Sequence, residues 1–437
     1  MTGGITNITA PRRSRSNDAP SPSRRGASRS AGFRITGLDL ARFVALIGMM
    51  AAHVWTYAPD GSYSVAEQVV SGKAAALFAV LAGVGITLTS RRALAEGRVG
   101  AARWNLFGRG LAIILIGLTL GIVGGMGGIL VILVYYGVMF WVAIPMLRWP
   151  STALLIGAGV LAVGWPPLSA WLREGMMQPF ELGGASWFSL TDPAAFGRGL
   201  FLTGTYPVPT WIVYAMVGMV IGRLVLAAQE HGDLRRLGLR LTAIGSAVAV
   251  AAWGASLLLL GPLGGRTALI ATRPDLDPAL LDRLLSETGM GAPITGDLWW
   301  LASATPHTGT LFDLGLTTGI ALVVIGLCLL LGTALRGTPA RLLEPLRRAG
   351  AAPLTVYTAH IIAAAVTVLV ILSGGMLDPS EERPWYTSSA GLWGLHVLGA
   401  ILIGVTLMAL DRRGPMETFV SWFGRLFTRL FTRSRKG

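Results

Sequence analysis

Arg42 and His53 stand eleven residues apart inside one apolar segment that begins at Ile35. At about 100° per residue they share one face of a helix, roughly 16 Å apart along its axis. A permanent cation in a membrane span costs at least about 2.5 kcal/mol, and such a group normally faces the bundle interior or a wet cavity. Imidazole titrates near neutrality and can take a proton from a hydroxyl or an amine. A guanidinium cannot act as that base, but it offers fixed positive charge to a phosphate or a developing oxyanion. Asp39, three residues before Arg42, can pair with it within the helix. The alternative is a solvated end-of-helix pair with an interfacial histidine. An ionisable stripe within a span favours the functional reading.

Other residues could share that chemistry. His307 lies where the eighth apolar stretch begins, flanked by Thr308 and Thr310, with Asp313 six residues on. It is placed to orient an acceptor or exchange protons with His53, or else to cap the helix. His360 follows Tyr357 by three residues, so both face one side of a helix, lining a tunnel or sitting in the core. Lys73 and Asp313 are candidates for binding an acceptor, although a lysine snorkelling to the interface is the commoner case. His396 reads as structural and His231 as solvated. Arg91, Arg92, Arg103 and Arg109 could meet phosphates. The single Cys328 forms no internal disulfide. No histidine stands at metal-ligand spacing from a cysteine or carboxylate, so no metal is expected.

The elements that must position these groups are membrane helices. Apolar residues make up 53% of the 437 and charged residues 13%, against about a quarter charged in ordinary globular proteins. Ten apolar stretches approach the ~20 residues needed to cross a bilayer: 35–56, 74–90, 108–125, 129–147, 151–171, 207–228, 239–262, 309–334, 351–374 and 390–410. The expected fold is an all-α polytopic membrane bundle of about ten helices. A net charge of +14 could suggest nucleic acid, but its distribution argues against that partner. With a cytoplasmic N-terminus, 28 of the 36 Lys and Arg fall inside, 7 outside, and Arg42 lies within a span. That asymmetry places both termini in the cytoplasm. Glycine spacings at Gly117/Gly121 and Gly218/Gly222 indicate close helix packing, and the oligomeric state, a homo-oligomer included, stays open.

Outside the expected bundle (34–414), residues 1–33 are rich in Ser, Arg, Pro and Gly and read as a disordered basic tail touching anionic lipid. An organellar transit peptide is the weaker reading, and no removable signal peptide is expected. Residues 415–437 carry Phe419, Phe423, Phe427 and Phe431 on one side and Arg425, Arg429 and Arg433 on the other, the pattern of a helix lying in the headgroup plane. Two connections are long, 172–206 and 263–308. They read equally as lids over a polar mouth or as packed caps.

Arg42, ten residues and His53, introduced by Leu38-Asp39-Leu40-Ala41, resemble the signature of the acyltransferase-3 family of membrane O-acyltransferases. The wider segment Arg34 to His53 is closer still to the bacterial relatives of heparan-α-glucosaminide N-acetyltransferase. Ser71 to Gly85, Pro306-His307-Thr308-Gly309-Thr310 and Ala351 to His360 resemble further helix motifs of those relatives. The likeness implies a ten-helix transmembrane acyltransferase bundle in the bacterial cytoplasmic membrane. It also implies transfer of an acyl group, acetyl first among candidates, from cytoplasmic acyl-CoA to an extracytoplasmic glycan or glycolipid. One departure stands out. Near the place of the catalytic histidine in the lysosomal enzyme's first loop this chain has Ser62, and His53 follows the acyltransferase-3 pattern instead.

On this reading His53, Arg42 and His307 are catalytic candidates. Arg42, Asp39, Tyr357 and His360 line the acyl-CoA path, and Lys73 and Asp313 bind the acceptor. The competing reading is a proton-coupled secondary transporter using the same stripe, although no paired broken helices support it. A non-catalytic scaffold is the remaining alternative.

Overall fold

The structure is a computed structural model describing residues 1–4, 35–58, 62–178, 180–181, 183–274, 276–287, 289–335, 337–373 and 389–432. Residues 1–34 form one unit and 35–437 a second, and all that follows concerns the second. The basic-tail reading of 1–33 and the end of the C-terminal stretch (433–437) fall largely outside the described residues.

The chain is an all-α polytopic membrane protein. Its principal helices are α1 (Thr36–Val54), α2 (Lys73–Ala95), α3 (Val99–Met126), α4 (Leu133–Val142) and α5 (Ser151–Arg173). They continue with α6 (Val208–His231), α7 (Leu234–Leu260), α8 (Leu311–Ala334), α9 (Pro353–Ser373), α10 (Ala390–Ala409) and α11 (Pro415–Thr432). Among the described residues nine helices are long and apolar enough to cross a membrane, and α4 is not one of them. The stretch 129–147 was expected to be a full span. Its α-helical part is ten residues, about 15 Å at 1.5 Å per residue. Gly127 and Gly128 end α3, and Pro145 opens a 3₁₀ turn in place of further α-helix. Hydropathy was right there, but helix continuity was broken by residues that cannot sustain it.

Burial sorts the bundle. Two-thirds of the apolar window of α1 is buried (67%), against 11% for α7. The helices α1, α2 and α6 form the centre, while α5, α7 and α10 face outward. Leu38, Leu46 and Met50 carry α1 into the core. Where α2 crosses α6, Gly83 meets the Ala215 carbonyl and Gly218 meets the Val80 carbonyl, with no room for a β-carbon at either. Gly117 and Gly121 likewise lie against α4 and the Ala185 backbone. Gly222 lies against Thr87 of α2, so both glycine pairs make their contacts within this chain.

Helix α11 packs along α3. Trp104 and Phe431 stack at 4.1 Å, and Phe427 lies against Phe107. At the helix's start Glu417 accepts hydrogen bonds from the backbone N–H of Leu354 (2.6 Å) and Thr355 (3.2 Å), and from the Thr355 hydroxyl (2.6 Å). It thereby caps the first turn of α9.

The long connection 263–308 holds two short helices, Gly265–Thr272 and Pro278–Ser286, with a small core of Leu269, Leu281 and Trp300. It is therefore a packed element with its own interior. The fully buried Arg173 ties it down, donating to the Pro293 carbonyl at 2.5 Å and lying 5.1 Å from the Phe180 ring centre.

Candidate active site

One end of α1 carries an ion-pair network. Arg42 Nη1 donates to Asp39 Oδ1 at 2.8 Å, as the i, i+3 spacing anticipates, and Arg347 approaches Asp39 Oδ2 at 3.5 Å. Arg347 and Arg348 both pair with Glu344, and those bonds hold its carboxyl below the usual range. Asp39 is buried beneath Arg42 and does not line the neighbouring cavity, so the structure places it as an anchor for the guanidinium. Arg42 itself lines a cavity of about 340 Å³ that runs inward between α1, α2, α3 and α9. Its walls are mostly apolar, Phe78, Leu81, Ile113 and Phe140 among them, with Arg109 and Glu417 as further charged groups. Arg109 donates to Ser421 Oγ at 3.3 Å, and its Nε has no partner among the described residues. Of the four arginines expected to meet phosphates, Arg109 reaches this cavity, while Arg92 pairs with Glu96 on the exposed surface.

A second cavity, of about 510 Å³, lies at the other end of α1 and is lined by His53, His307 and Tyr206. Met49, Ile132 and Tyr357 line both cavities, so the two meet across one layer of side chains. The Tyr357 hydroxyl sits at this layer beside the Ile132 backbone. Arg42 and His53 thus face adjoining spaces from the same helix, eleven residues apart.

His53 is the first of three linked histidines. Its Nδ1 lies 3.0 Å from His360 Nε2, with the rings stacked at 5.2 Å. His360 Nδ1 lies 3.0 Å from His396 Nδ1. The line runs from α1 through α9 to α10. His360 was expected on the acyl-CoA path, but it lines neither of the two cavities described above. It sits behind His53 and borders, with His396, a separate groove between α9 and α10. His396, read as merely structural, ends the line.

His307 occupies a strained turn. Its φ is +61°, in the left-handed region that L side chains seldom adopt. Its carbonyl accepts from Gly291 N at 2.7 Å, and Asp313 Oδ2 accepts from Gly309 N at 2.9 Å. Trp211 and Tyr206 pack on its ring, whose Nδ1 has no partner among the described residues. Burial pushes this imidazole down to about 4, with the Lys73 ammonium adding to the effect, so it is neutral at physiological pH. Asp313 lies behind His307 in a small void, away from the main cavity, and serves the turn. Lys73 donates to the Gln68 carbonyl at 2.9 Å and borders a third cavity next door. The structure therefore brings His53, His307 and Tyr357 to one cavity and Arg42 to the adjoining one, which Tyr357 also borders, and sets Asp39, His360, Lys73 and Asp313 around them.

Sequence reasoning overlooked Glu67 and Glu417 at these cavities, whereas Tyr206 belongs to the long connection 172–206 expected to cap an external mouth. Glu417 had a signal, being the one acid in an otherwise basic helix.

Residues 34–259 of the 437 match the model of the family described as heparan-alpha-glucosaminide N-acetyltransferase, catalytic. The chain belongs to this family. The matched stretch runs from the start of α1 to the last turn of α7, and so contains Arg42, His53, Lys73 and Arg109. His307, Tyr357, His360 and His396 come from beyond it and meet the matched part only in space. Family membership makes the protein a membrane acetyltransferase. No curated protein matches the chain.

Proposed function

We propose that the protein takes an acetyl group from cytoplasmic acetyl-CoA at the Arg42 cavity and delivers it to an acceptor in the His53 cavity, across the membrane. The observation that carries this is the meeting of two cavities at Met49, Ile132 and Tyr357, with a cationic mouth on one side and a histidine pair on the other. Orientation follows the charge asymmetry of the loops, with both termini in the cytoplasm.

The donor-side residues suit an anionic, slender ligand. Arg42 and the unpartnered Arg109 Nε supply positive charge for a phosphate. The apolar walls beyond them suit an uncharged arm, and about 340 Å³ leaves a nucleotide outside. When bound, the donor supplies an acetyl thioester.

On the acceptor side the tautomers can be worked out. His53 Nδ1 faces His360, which leaves Nε2 as the ring nitrogen available to the cavity. For Nε2 to carry a lone pair, Nδ1 must hold the hydrogen and donate it to His360 Nε2. His360 then holds its own hydrogen on Nδ1 and donates to His396 Nδ1. His53 Nε2 takes the proton of the acceptor hydroxyl or amine as that atom bonds to the acetyl carbon. It returns the proton to the departing thiolate sulfur when the C–S bond breaks. The Tyr357 hydroxyl is placed to donate to the carbonyl oxygen as charge develops there, and His307, held neutral, orients the acceptor.

The test uses purified protein in lipid vesicles, with isotope-labelled acetyl-CoA and envelope glycolipids and glycans followed by mass spectrometry. His53→Ala should lower kcat by about 10²–10⁴ while the protein still elutes as a folded species. Undiminished transfer in that variant would remove His53 as the base. Proton-coupled solute flux without acetylated product would instead favour the transporter reading.

A further inference from the structure

Beside the His53–His307 cavity lies a larger one, of about 610 Å³. Tyr63, Glu67 and Ser71 line both, so the two spaces adjoin through one short stretch of chain. Part of the lining of the larger cavity is polar, with Lys73, Gln68, Ser286 and Glu287. Another part is α7, where Trp253, Leu257 and Leu260 stand on successive turns, with Ser256 between them donating to the Ala302 carbonyl. That helix is the least buried of the spans, and Trp253 and Leu257 are 54% and 52% exposed. In a membrane helix such apolar exposure faces lipid, so this wall runs on into the hydrocarbon-facing surface.

We propose that this cavity binds the acetyl acceptor as a membrane-anchored sugar, which enters sideways from the lipid. The inference rests on the acetyl-transfer reading above. Its apolar chain lies along Trp253 and Leu257, where a water-soluble sugar would leave an apolar wall unused. Its head lies among the polar groups and reaches past Tyr63 and Glu67 to His53. The head is rich in hydroxyls and carries little net negative charge. Two carboxylates, Glu67 and Glu287, face one ammonium here, and Lys73 already donates to the Gln68 carbonyl. Such a balance disfavours a phosphate headgroup and suits hydroxyls, which can donate to carboxylates and accept from serine and glutamine.

The experiment reads binding without any acetyl donor. The full chain in lipid nanodiscs is photolabelled with a glucosyl-diacylglycerol bearing a diazirine midway along one chain, and adducts are mapped by peptide mass spectrometry. Adducts should concentrate on residues 253–260. Excess unlabelled glucosyl-diacylglycerol should remove them, and phosphatidylcholine with the same chains should not. Methyl glucoside should need at least about 100-fold more for the same effect, since each buried CH₂ is worth ~0.8 kcal/mol. Trp253→Ala with Leu257→Ser should cut labelling about tenfold, whereas Leu402→Ser, on the outward face of α10, should not. Adducts spread evenly over the outward helices, or equal competition by methyl glucoside or phosphatidylcholine, would overturn the proposal. Focused labelling with no acetylation of any acceptor would instead sink the acetyl-transfer reading and leave the binding site standing.

Discussion

A neutral imidazole is a base only at the nitrogen without a hydrogen, and under the proposed chemistry the choice at His53 falls to His360, 307 positions further on, whose Nε2 lies 3.0 Å from His53 Nδ1. His360→Leu should therefore lower kcat by about tenfold to a hundredfold and leave the donor KM unmoved. His360→Gln, which can still accept from Nδ1, should recover part of the loss. A merely structural role would show the same thermal shift for both variants and no recovery. His307 adds a pH dependence. Its folded value of about 4 lies below the ordinary 6.5, so acid protonates the unfolded chain first. Its share of stability is complete above 6.5 and is lost as pH falls towards about 4, by roughly 3 kcal/mol for a shift of this size. Thermal unfolding at pH 7, 5.5 and 4 reads this, and His307→Gln should flatten the slope across that window. At this scale the sequence was half legible. The Asp39–Arg42 pair and the shared face of Arg42 and His53 follow from helix geometry alone. The histidine line joins α1, α9 and α10, and no periodicity within one segment carries information about such a meeting.

Elements show a similar division. Helix lengths and boundaries came close to the apolar stretches, because backbone groups in lipid must be satisfied within the helix. The exception, α4, shows what hydropathy omits, since Gly127, Gly128 and Pro145 stop a helix without changing how apolar the stretch is. Helix α11 read as an amphipathic anchor, and it also packs on α3 and caps α9 through Glu417. Removing that carboxylate leaves two N–H groups of α9 without a partner. Glu417→Ala should cost about 1–2 kcal/mol, seen as a lower midpoint of thermal unfolding in detergent, while Thr418→Ala on the same turn should cost less. Because Glu417 also borders the donor cavity, the same variant should disturb donor KM more than acceptor KM.

For the whole molecule, composition announced a polytopic membrane protein but gave no indication of which helices lie inside. The spans α7 and α8 are both strongly apolar, yet 11% of one and 50% of the other is buried over its most apolar stretch. What separates them is the company each keeps, above all α8 lying against both α1 and α2. Orientation is a matter of loop charge, and a cysteine scan tests it. With Cys328→Ala as background, Leu298→Cys should react with a membrane-impermeant maleimide on intact cells, and Thr2→Cys only after lysis. The opposite pattern would invert the donor and acceptor sides.

The layer of Met49, Ile132 and Tyr357 has a consequence for the cell. Among the described residues, a thioether, an aliphatic side chain and a phenol are the side chains that border both cavities. During transfer only the slim thioester end of the donor has to reach between them, so no gate need swing open and ions find no continuous water column. Shaving that partition, as in Met49→Gly, should turn a tight catalyst into a proton leak, measurable as collapse of a pH gradient in sealed vesicles.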